Sequence, residues 1–462
     1  KDLPVSLFYP VPSFMGDESA FQTTGSVLRS DMIEELLRLE EAIGLAEVLV
    51  PPILALSPDS KKVIDLAHAL KKTVEGHAPA TMGAPLSAYA SCGIRSDHES
   101  TTKEEALEKL RNGLRVLMRE GSASTDLKAC LKIITEEHVD TSNIAMISDD
   151  VDALHLVGLG HMDHKIRMAI EEGVDPIVAI QMASINPANS LKIDDVHGSI
   201  TPGKIANIVL LSSLSMCKVD TVIAKGQLCV ANEKLINPSV SNSYDKVLLD
   251  TVILKNELKK HDLLIRANEG ASKATVHVIG ASATSLLTSS LKETLKVEDG
   301  VIVSDVQNDI LHIACVERYG KNGNIGKSFI KGFGLKSGAI ATSVGHDHHN
   351  ITVVGTNEED MIIAVNRIRD LSGAIVVVNN GEVVGEIALP IAGLLSDKSA
   401  VEVASRQEKL LDELVTMGCS MASPFMSLSF ITLIFIPDFA ISDVGLFDVK
   451  EFKIIDPVVS WN

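Results

Sequence analysis

The chain has 462 residues and carries a net charge of −19, from 61 acidic and 42 basic side chains. Such an acidic surplus argues against a polymeric nucleic acid as partner, because a phosphate backbone is held by Lys and Arg. The length predicts two or three packed units rather than one core, and 45% AVILMFWYC residues against 22% charged ones predict a folded chain rather than a disordered one.

From the N-terminus, Lys-Asp-Leu-Pro-Val shows no basic region leading into an apolar one, so no secretory signal is read there. Residues 1–190 then alternate apolar runs with helical periodicity. Strands are expected over 5–9, 44–50, 73–77, 93–98, 114–118 and 143–147, and helices over 31–41, 63–72, 86–91 and 104–112. This βα repetition makes about six units, where a closed barrel needs eight strands and roughly 250 residues, so two strands are expected to be missing from the start. A helix over 176–184 follows, and then a turn, a strand and a hairpin about Lys225-Gly226 form a small β unit over 191–235. Residues 236–272 read as a polar connector with one helical piece. A third region, 273–462, is expected to be an α+β domain, with strands over 275–279, 300–304, 310–316, 351–355 and 374–379 and helices over 358–371 and 401–416.

The uncharged apolar stretch 424–437 is interrupted by Ser427, Ser429 and Thr432 and falls short of the roughly 20 residues of a membrane span. It reads as a buried strand pair or core segment, and no membrane partner is expected. Six cysteines, Cys92, Cys130, Cys217, Cys229, Cys315 and Cys419, show no short metal spacing, which fits a reducing cytoplasm better than a disulfide framework.

Ionisable residues recur where the apolar runs of the first region end: Glu47, His77, His98-Glu99, Arg119-Glu120 and Asp149-Asp150. In a parallel barrel these ends converge on one face. Imidazoles and carboxylates gathered there suit Zn²⁺, Mn²⁺ or Fe²⁺, and carboxylates can bridge two ions; a hydrogen-bonded loop histidine is the plainer reading of any one of them. Further on, Gly345-His-Asp-His-His-Asn350 is either a second metal site, a substrate-facing loop or a solvated loop with its own hydrogen bonds. His161 and His164 either line the mouth of the site or pack. Gly323-Asn-Ile-Gly-Lys327 lacks the spacing of a phosphate loop.

Taken in order, Gly76-His77-Ala78-Pro79, Gly93-Ile-Arg-Ser-Asp-His-Glu-Ser-Thr101, Arg119-Glu120-Gly121-Ser122, Ser148-Asp149-Asp150, Gly160-His161-Met162-Asp163-His164 and Gly198-Ser-Ile-Thr-Pro-Gly-Lys204 form a signature. With Lys331-Gly-Phe-Gly-Leu335, Ser343-Val-Gly-His-Asp-His-His-Asn350 and Pro424-Phe-Met-Ser-Leu-Ser-Phe430, nearly the whole chain closely resembles the adenine deaminase family of the amidohydrolase superfamily. The resemblance implies an α/β fold: a (β/α)8 metallo-hydrolase barrel, a small β domain, and a C-terminal α+β domain. It also implies a binuclear centre of Mn²⁺ or Fe²⁺, with Zn²⁺ an option, a cytoplasmic enzyme, and a homo-oligomer, expected to be a dimer. The family's first β segment, its strand with His-x-His and its strand with Asp-Pro-His-Glu have no counterpart ahead of Leu3, so the copy is expected to be N-terminally incomplete.

By motif match, Glu47 is implied as a metal-bridging carboxylate, His77 and His98 as ligands, and Asp149 as the acid that ligates metal and deprotonates its water. Glu99 is expected either to donate a proton to a ring nitrogen of adenine, with a pKa raised by burial near other acids, or to serve as a hydrogen-bond partner that orients His98. His161, His164, Ser343, His346, Asp347, His349 and Asn350 are candidates for substrate binding. The expected reaction is hydrolysis of adenine to hypoxanthine and ammonia. A catalytically impaired homologue acting as a binding module, or an amidohydrolase for another purine or cyclic amide, is the alternative. Phe14 stands where the family has Cys, Val50-Pro-Pro-Ile where it has Asn-Phe-Pro, and His348 where it has Ser.

Overall fold

The computed structural model describes residues 4–13, 20–236, 243–283 and 285–461; Leu3, Phe14 and positions 237–242 of the expected connector lie outside them. The chain forms two compact units. The first comprises Lys1–Met15, Leu28–Val151 and Leu159–Ser241, and the second Gly16–Val27, Asp152–Gly158 and Asn242–Asn462.

In the first unit, β1 (Tyr9–Pro12), α1 (Ser30–Leu37), β2 (Ala42–Leu49), α2 (Val50–Leu54), α3 (Pro58–Ala69), β3 (Thr73–His77), α4 (Gly83–Ser91), β4 (Ser96–Asp97), α5 (Lys103–Arg111), β5 (Arg115–Arg119), α6 (Leu127–Thr135) and β6 (Ile144–Ile147) follow in order. The six strands form one parallel sheet in sequential order. Every residue of β3 is buried, as expected of a parallel strand covered on both faces. Helix starts follow capping chemistry. Ser57 accepts the Ser60 N–H ahead of Pro58 in α3, and Thr102 accepts the Glu105 N–H in α5, whose first turn is acidic and last turn basic.

Two apolar clusters fill this unit, one about Leu45, Val74 and Leu86, the other about Val116, Leu131 and Met146. Gly76 permits the close approach of β3 and β4, since a Cβ there meets Ser96 O at 2.5 Å and Tyr89 Oη at 2.6 Å. The first strand is Tyr9–Pro12 rather than 5–9, and 93–98 contracts to the two residues of β4. Val5, Leu7 and Phe8 are exposed, so the apolar composition of that run is not the mark of a buried strand.

Next come α7 (Ala153–Gly158), which belongs to the second unit, then α8 (Met162–Glu171), α9 (Pro176–Met182) and α10 (Ile185–Ser190). An antiparallel sheet of β7 (Ile208–Ser213), β8 (Lys218–Ala224), β9 (Gln227–Ala231) and β10 (Lys234–Leu235) follows, with the β8/β9 turn at Lys225-Gly226. It groups with the parallel sheet in the first unit.

The second unit holds α11 (Lys260–Leu263), β11 (Lys273–Gly280), β12 (Ser289–Glu298), β13 (Val301–Ile302), β14 (Ile310–Val316), β15 (Ile325–Lys331), β16 (Ala339–Thr342), β17 (Ile351–Gly355), α12 (Glu358–Asp370), β18 (Ala374–Asn379), β19 (Glu382–Ala388), α13 (Ala400–Thr416) and α14 (Pro424–Phe430). A small sheet of β20 (Phe439–Ile441), β21 (Leu446–Asp448) and β22 (Lys453–Ile455) precedes β23 (Val458–Trp461). Its ten-stranded sheet runs β13-β12-β11-β15-β14-β17-β16-β18-β19, with β23 also on β11. Five of these strands, β12, β15, β16, β19 and β23, lie outside the expected set. β12 interleaves Lys and Glu with Leu, Thr and Val and exposes one face, so it lacks the continuous apolar run that marked β14 or β17. The stretch at 424–437 is core, but it is a helix that starts at Pro424, not a strand pair. No helix among the described residues is long and apolar enough to cross a membrane.

Candidate metal centre

Parallel strands β2, β3 and β4 deliver three of the expected donors. Glu47 lies within β2, where the register against β3 shifts between Leu45 and Val48, and its φ of +50° marks a local bulge. The bulge, held by Ser13 Oγ on Glu47 O at 2.9 Å, leaves the Glu47 side chain 56% exposed. His77 closes β3. Its N–H donates to Tyr89 Oη at 3.0 Å, and that phenol donates to Val48 O, so one buried side chain ties the Glu47 bulge to His77. Burial raises the Tyr89 pKa and keeps the phenol neutral. His98 follows β4 and pairs Nδ1 with Gly76 O at 3.1 Å; a donor there makes Nδ1 the protonated nitrogen and leaves Nε2 as the free electron pair.

The donors converge. One atom each of Glu47, His77 and His98 lies within 4.8 Å of the others, and the same holds for His98, Glu99 and Asp149. His98 Nε2 stands 3.6 Å from Glu47 Oε1 and 3.1 Å from Glu99 Oε1, and His77 Nδ1 stands 3.6 Å from Glu99 Oε1. Asp149 follows β6 with a φ of +55° and accepts the Asp150 N–H at 2.9 Å.

Arg119, at the end of β5, is the main group that sequence reasoning left out of the site. Its side chain is 2% exposed and reaches Glu99 at 2.6 Å, Asp126 at 2.9 Å and Asp149 at 3.3 Å. The signal was present as a cation ending an otherwise apolar strand and opening the motif Arg119-Glu120-Gly121-Ser122, though no role was read for it. Arg119 reverses the expectation of a raised Glu99 pKa. Burial pushes the Glu99 carboxyl up, but the charges of His77, Arg119 and His98 outweigh it and hold the group well below the usual carboxylate range. For His98, burial opposes the charge, yet Glu99, Glu47 and Asp97 push its pKa up to about 10. The pocket therefore favours a cation at the imidazole, whether proton or metal.

A test of fit comes from His77. It is buried, and neither ring nitrogen has a hydrogen-bond partner, a costly arrangement for an imidazole with nothing else to bind. Two imidazoles that can each give a ring nitrogen to a metal in place of a proton, with three carboxylates at this separation, fit a divalent ion.

The other candidates have the following surroundings. His161 is the N-cap residue of α8, where its N–H donates to Asp163 Oδ1 at 2.9 Å while its ring makes no cap bond; His164 sits in the first turn. Neither belongs to the two donor groups. Ser343, His346, Asp347, His349 and Asn350 belong to the second unit. Ser343 Oγ donates to Gly393 O at 2.6 Å and accepts the Ala374 N–H at 3.0 Å. Asn350 Nδ2 donates to Thr23 O at 2.9 Å and to Asp443 Oδ1 at 3.1 Å. His346 stacks on Phe430 with ring centres 4.3 Å apart, and the Gly345 N–H donates to His349 Nδ1 at 3.4 Å.

Comparison with known proteins follows the same division of the chain. The amidohydrolase family model matches residues 15–229, and the model of the adenine deaminase C-terminal domain matches residues 285–453. The chain is 37% identical to an adenine deaminase of Desulforamulus reducens over 100% of its own length and 78% of the relative's. It is 37% identical to one of Staphylothermus marinus, over 100% of the chain and 77% of the relative, and 38% identical to adenine deaminase 1 of Carboxydothermus hydrogenoformans, over 99% and 77%. Identity at this level over nearly the whole chain places it: the protein belongs to the adenine deaminase family of the amidohydrolases.

Proposed function

We propose that the chain hydrolyses adenine to hypoxanthine and ammonia at the centre built from Glu47, His77, His98, Glu99 and Asp149. The observation that carries this reading is the convergence of those side chains, with a buried and otherwise unpartnered His77 among them, in a member of the adenine deaminase family. The six sequential parallel strands support a metallo-hydrolase barrel as the parent architecture, with the donors at the C-terminal ends of its strands.

His77, His98, Glu47 and Asp149 are the residues that hold the metal in this reading, with Mn²⁺ or Fe²⁺ preferred, Zn²⁺ an option, and Glu47 suited to bridging two ions. When bound there, a divalent ion supplies Lewis-acid activation of water and compensates developing negative charge. The remaining steps fall to the protein. Asp149, whose Oδ2 lies 3.3 Å from Arg119 Nη1, accepts the proton of the attacking water as oxygen adds to C6 of adenine. Glu99 starts as a carboxylate because His77, Arg119 and His98 together outweigh its burial; it acts as a relay, accepting the second proton of that water and delivering it to a ring nitrogen. Asp149 returns its proton to the exocyclic nitrogen, the bond from C6 to that nitrogen breaks with release of ammonia, and the C6 carbonyl of hypoxanthine remains. All six cysteines are unpaired, which supports a reducing, cytoplasmic setting.

The test is ammonia release from adenine by the purified chain with Mn²⁺, beside Asp149→Asn. The expected outcome is a loss of about 10²–10⁴-fold in kcat for the variant. Equal rates for both proteins would overturn the assignment.

A further inference from the structure

We infer that Asp97, Lys109 and Glu105 form a buried clamp that sets the spacing of the two metal-ligand loops. The inference rests on the metal-site reading above and adds positioning residues to it.

The need for such a device lies in the backbone. Strands β3 and β4 pair over two positions only, Glu75 with Ser96 and Gly76 with Asp97, so the sheet ladder stops before His77 and His98. Beyond it the distance between the loops is fixed by side chains. Asp97 Oδ1 accepts the Ala78 N–H at 2.8 Å, while Oδ2 accepts the Glu99 N–H at 2.9 Å and the Lys109 ammonium at 2.6 Å. Glu105 repeats the pattern one step further out. Its Oε1 accepts the Ala80 N–H at 2.9 Å and Lys109 at 2.8 Å, and its Oε2 accepts the Thr101 N–H at 3.1 Å. Each carboxylate thus joins a residue just after His77 to a residue just after His98, and Lys109 joins the carboxylates.

All three side chains are out of solvent, at 0% exposure for Asp97 and Lys109 and 5% for Glu105. Buried ion pairs are weak sources of stability, whereas charge-assisted bonds to loop N–H groups fix position well. Two acids with one base also leave one net negative charge behind the donor set, which favours a cation in front of it.

The experiment is a Co²⁺ titration of the chain, followed by visible absorption, for the native protein, Asp97→Asn and Glu105→Gln, with urea unfolding alongside. Either substitution leaves Lys109 with one carboxylate, a balanced pair, so folding is expected to survive. The clamp predicts a 10–100-fold rise in the Co²⁺ Kd for both variants, an altered Co²⁺ band, and a kcat for adenine that falls far more than KM rises. Folded variants with the native Co²⁺ affinity and spectrum would overturn it. So would failure of both variants to fold, which assigns the three residues to folding alone; if Asp97→Asn alone fails, Glu105→Gln decides. A native chain that shows no Co²⁺ band overturns the metal-site reading, and with it the clamp. A native band that persists unchanged in His77→Ala does the same, and that result is distinct from one confined to the two clamp variants.

Discussion

Replacing Arg119 by Met tests the electrostatics of the site most directly. The substitution keeps much of the side-chain volume but removes the cation from Glu99 and Asp126, whose side chains are 5% and 11% exposed. Breaking a buried pair by removing one partner costs about 3–5 kcal/mol, because the remaining charge stays buried and uncompensated. At about 2–4 °C per kcal/mol for a unit of this size, the first unit's transition should fall by roughly 6–20 °C.

The sign with pH follows from Glu99. Its folded pKa lies below its unfolded value of about 4.3, so its stabilisation is present above that value and is lost as the pH falls through the lower folded pKa. Without Arg119 the folded pKa rises, and protonation relieves the buried charge at a higher pH. The deficit of Arg119→Met against the native chain should therefore be largest at pH 7 and shrink toward pH 4. Urea unfolding at pH 7, 5 and 4 measures it. A deficit under about 1 kcal/mol, or one of equal size at every pH, would refute the reasoning.

Two further perturbations test charges away from the donors. Burial pushes the Glu120 carboxyl up to about 7, so its protonated form is preferred in the fold, and its contribution is lost as the pH rises from about 4.3 through 7. Glu120→Gln should match the native chain at pH 4 and exceed it by about 1–2 kcal/mol at pH 8, allowing for partial solvent screening; a difference that shrinks with rising pH would contradict this. Arg318 is 2% exposed, and its Nε and Nη1 lack hydrogen-bond partners. Arg318→Met should therefore raise the unfolding free energy of the second unit by about 1–2 kcal/mol, read from urea unfolding, and a loss of stability would refute this.

Where the hydrophobic signal was continuous, the sequence was a good guide. Strands β3, β14 and β17 are buried at every position, and such runs stand out with no knowledge of their neighbours. Helices α5 and α13 were equally legible, because their caps and charge gradients are local in sequence. What failed was whatever depends on partners distant in sequence. β12 is a strand because β11 lies beside it along eight paired positions, although its alternating Lys and Glu carry little β signal. The run 5–9 looked like a strand on composition alone, but its apolar side chains stay exposed, Phe8 meeting the His197 ring edge-on.

The site divides in the same way, and the division explains the error over Glu99. Glu47, His77, His98 and Asp149 are marked by residue type at strand ends, which a one-dimensional reading detects. Which acids the buried cations Arg119 and Lys109 meet is not so marked. Lys109 belongs to Lys-Glu-Glu-Ala-Leu-Glu-Lys-Leu-Arg, a segment with the charge pattern of a solvated helix, yet Glu105 and Lys109 stand four residues apart on its buried side, against Asp97. Arg119 lies 20 positions from Glu99 and meets it across the adjacent strands β4 and β5. An acid among acids is expected to hold its proton more tightly, and with Arg119 2.6 Å away the balance reverses. The protonation state of a buried site is thus set by the side chains that the fold adds to the motif, and those become visible only when the strands are laid side by side.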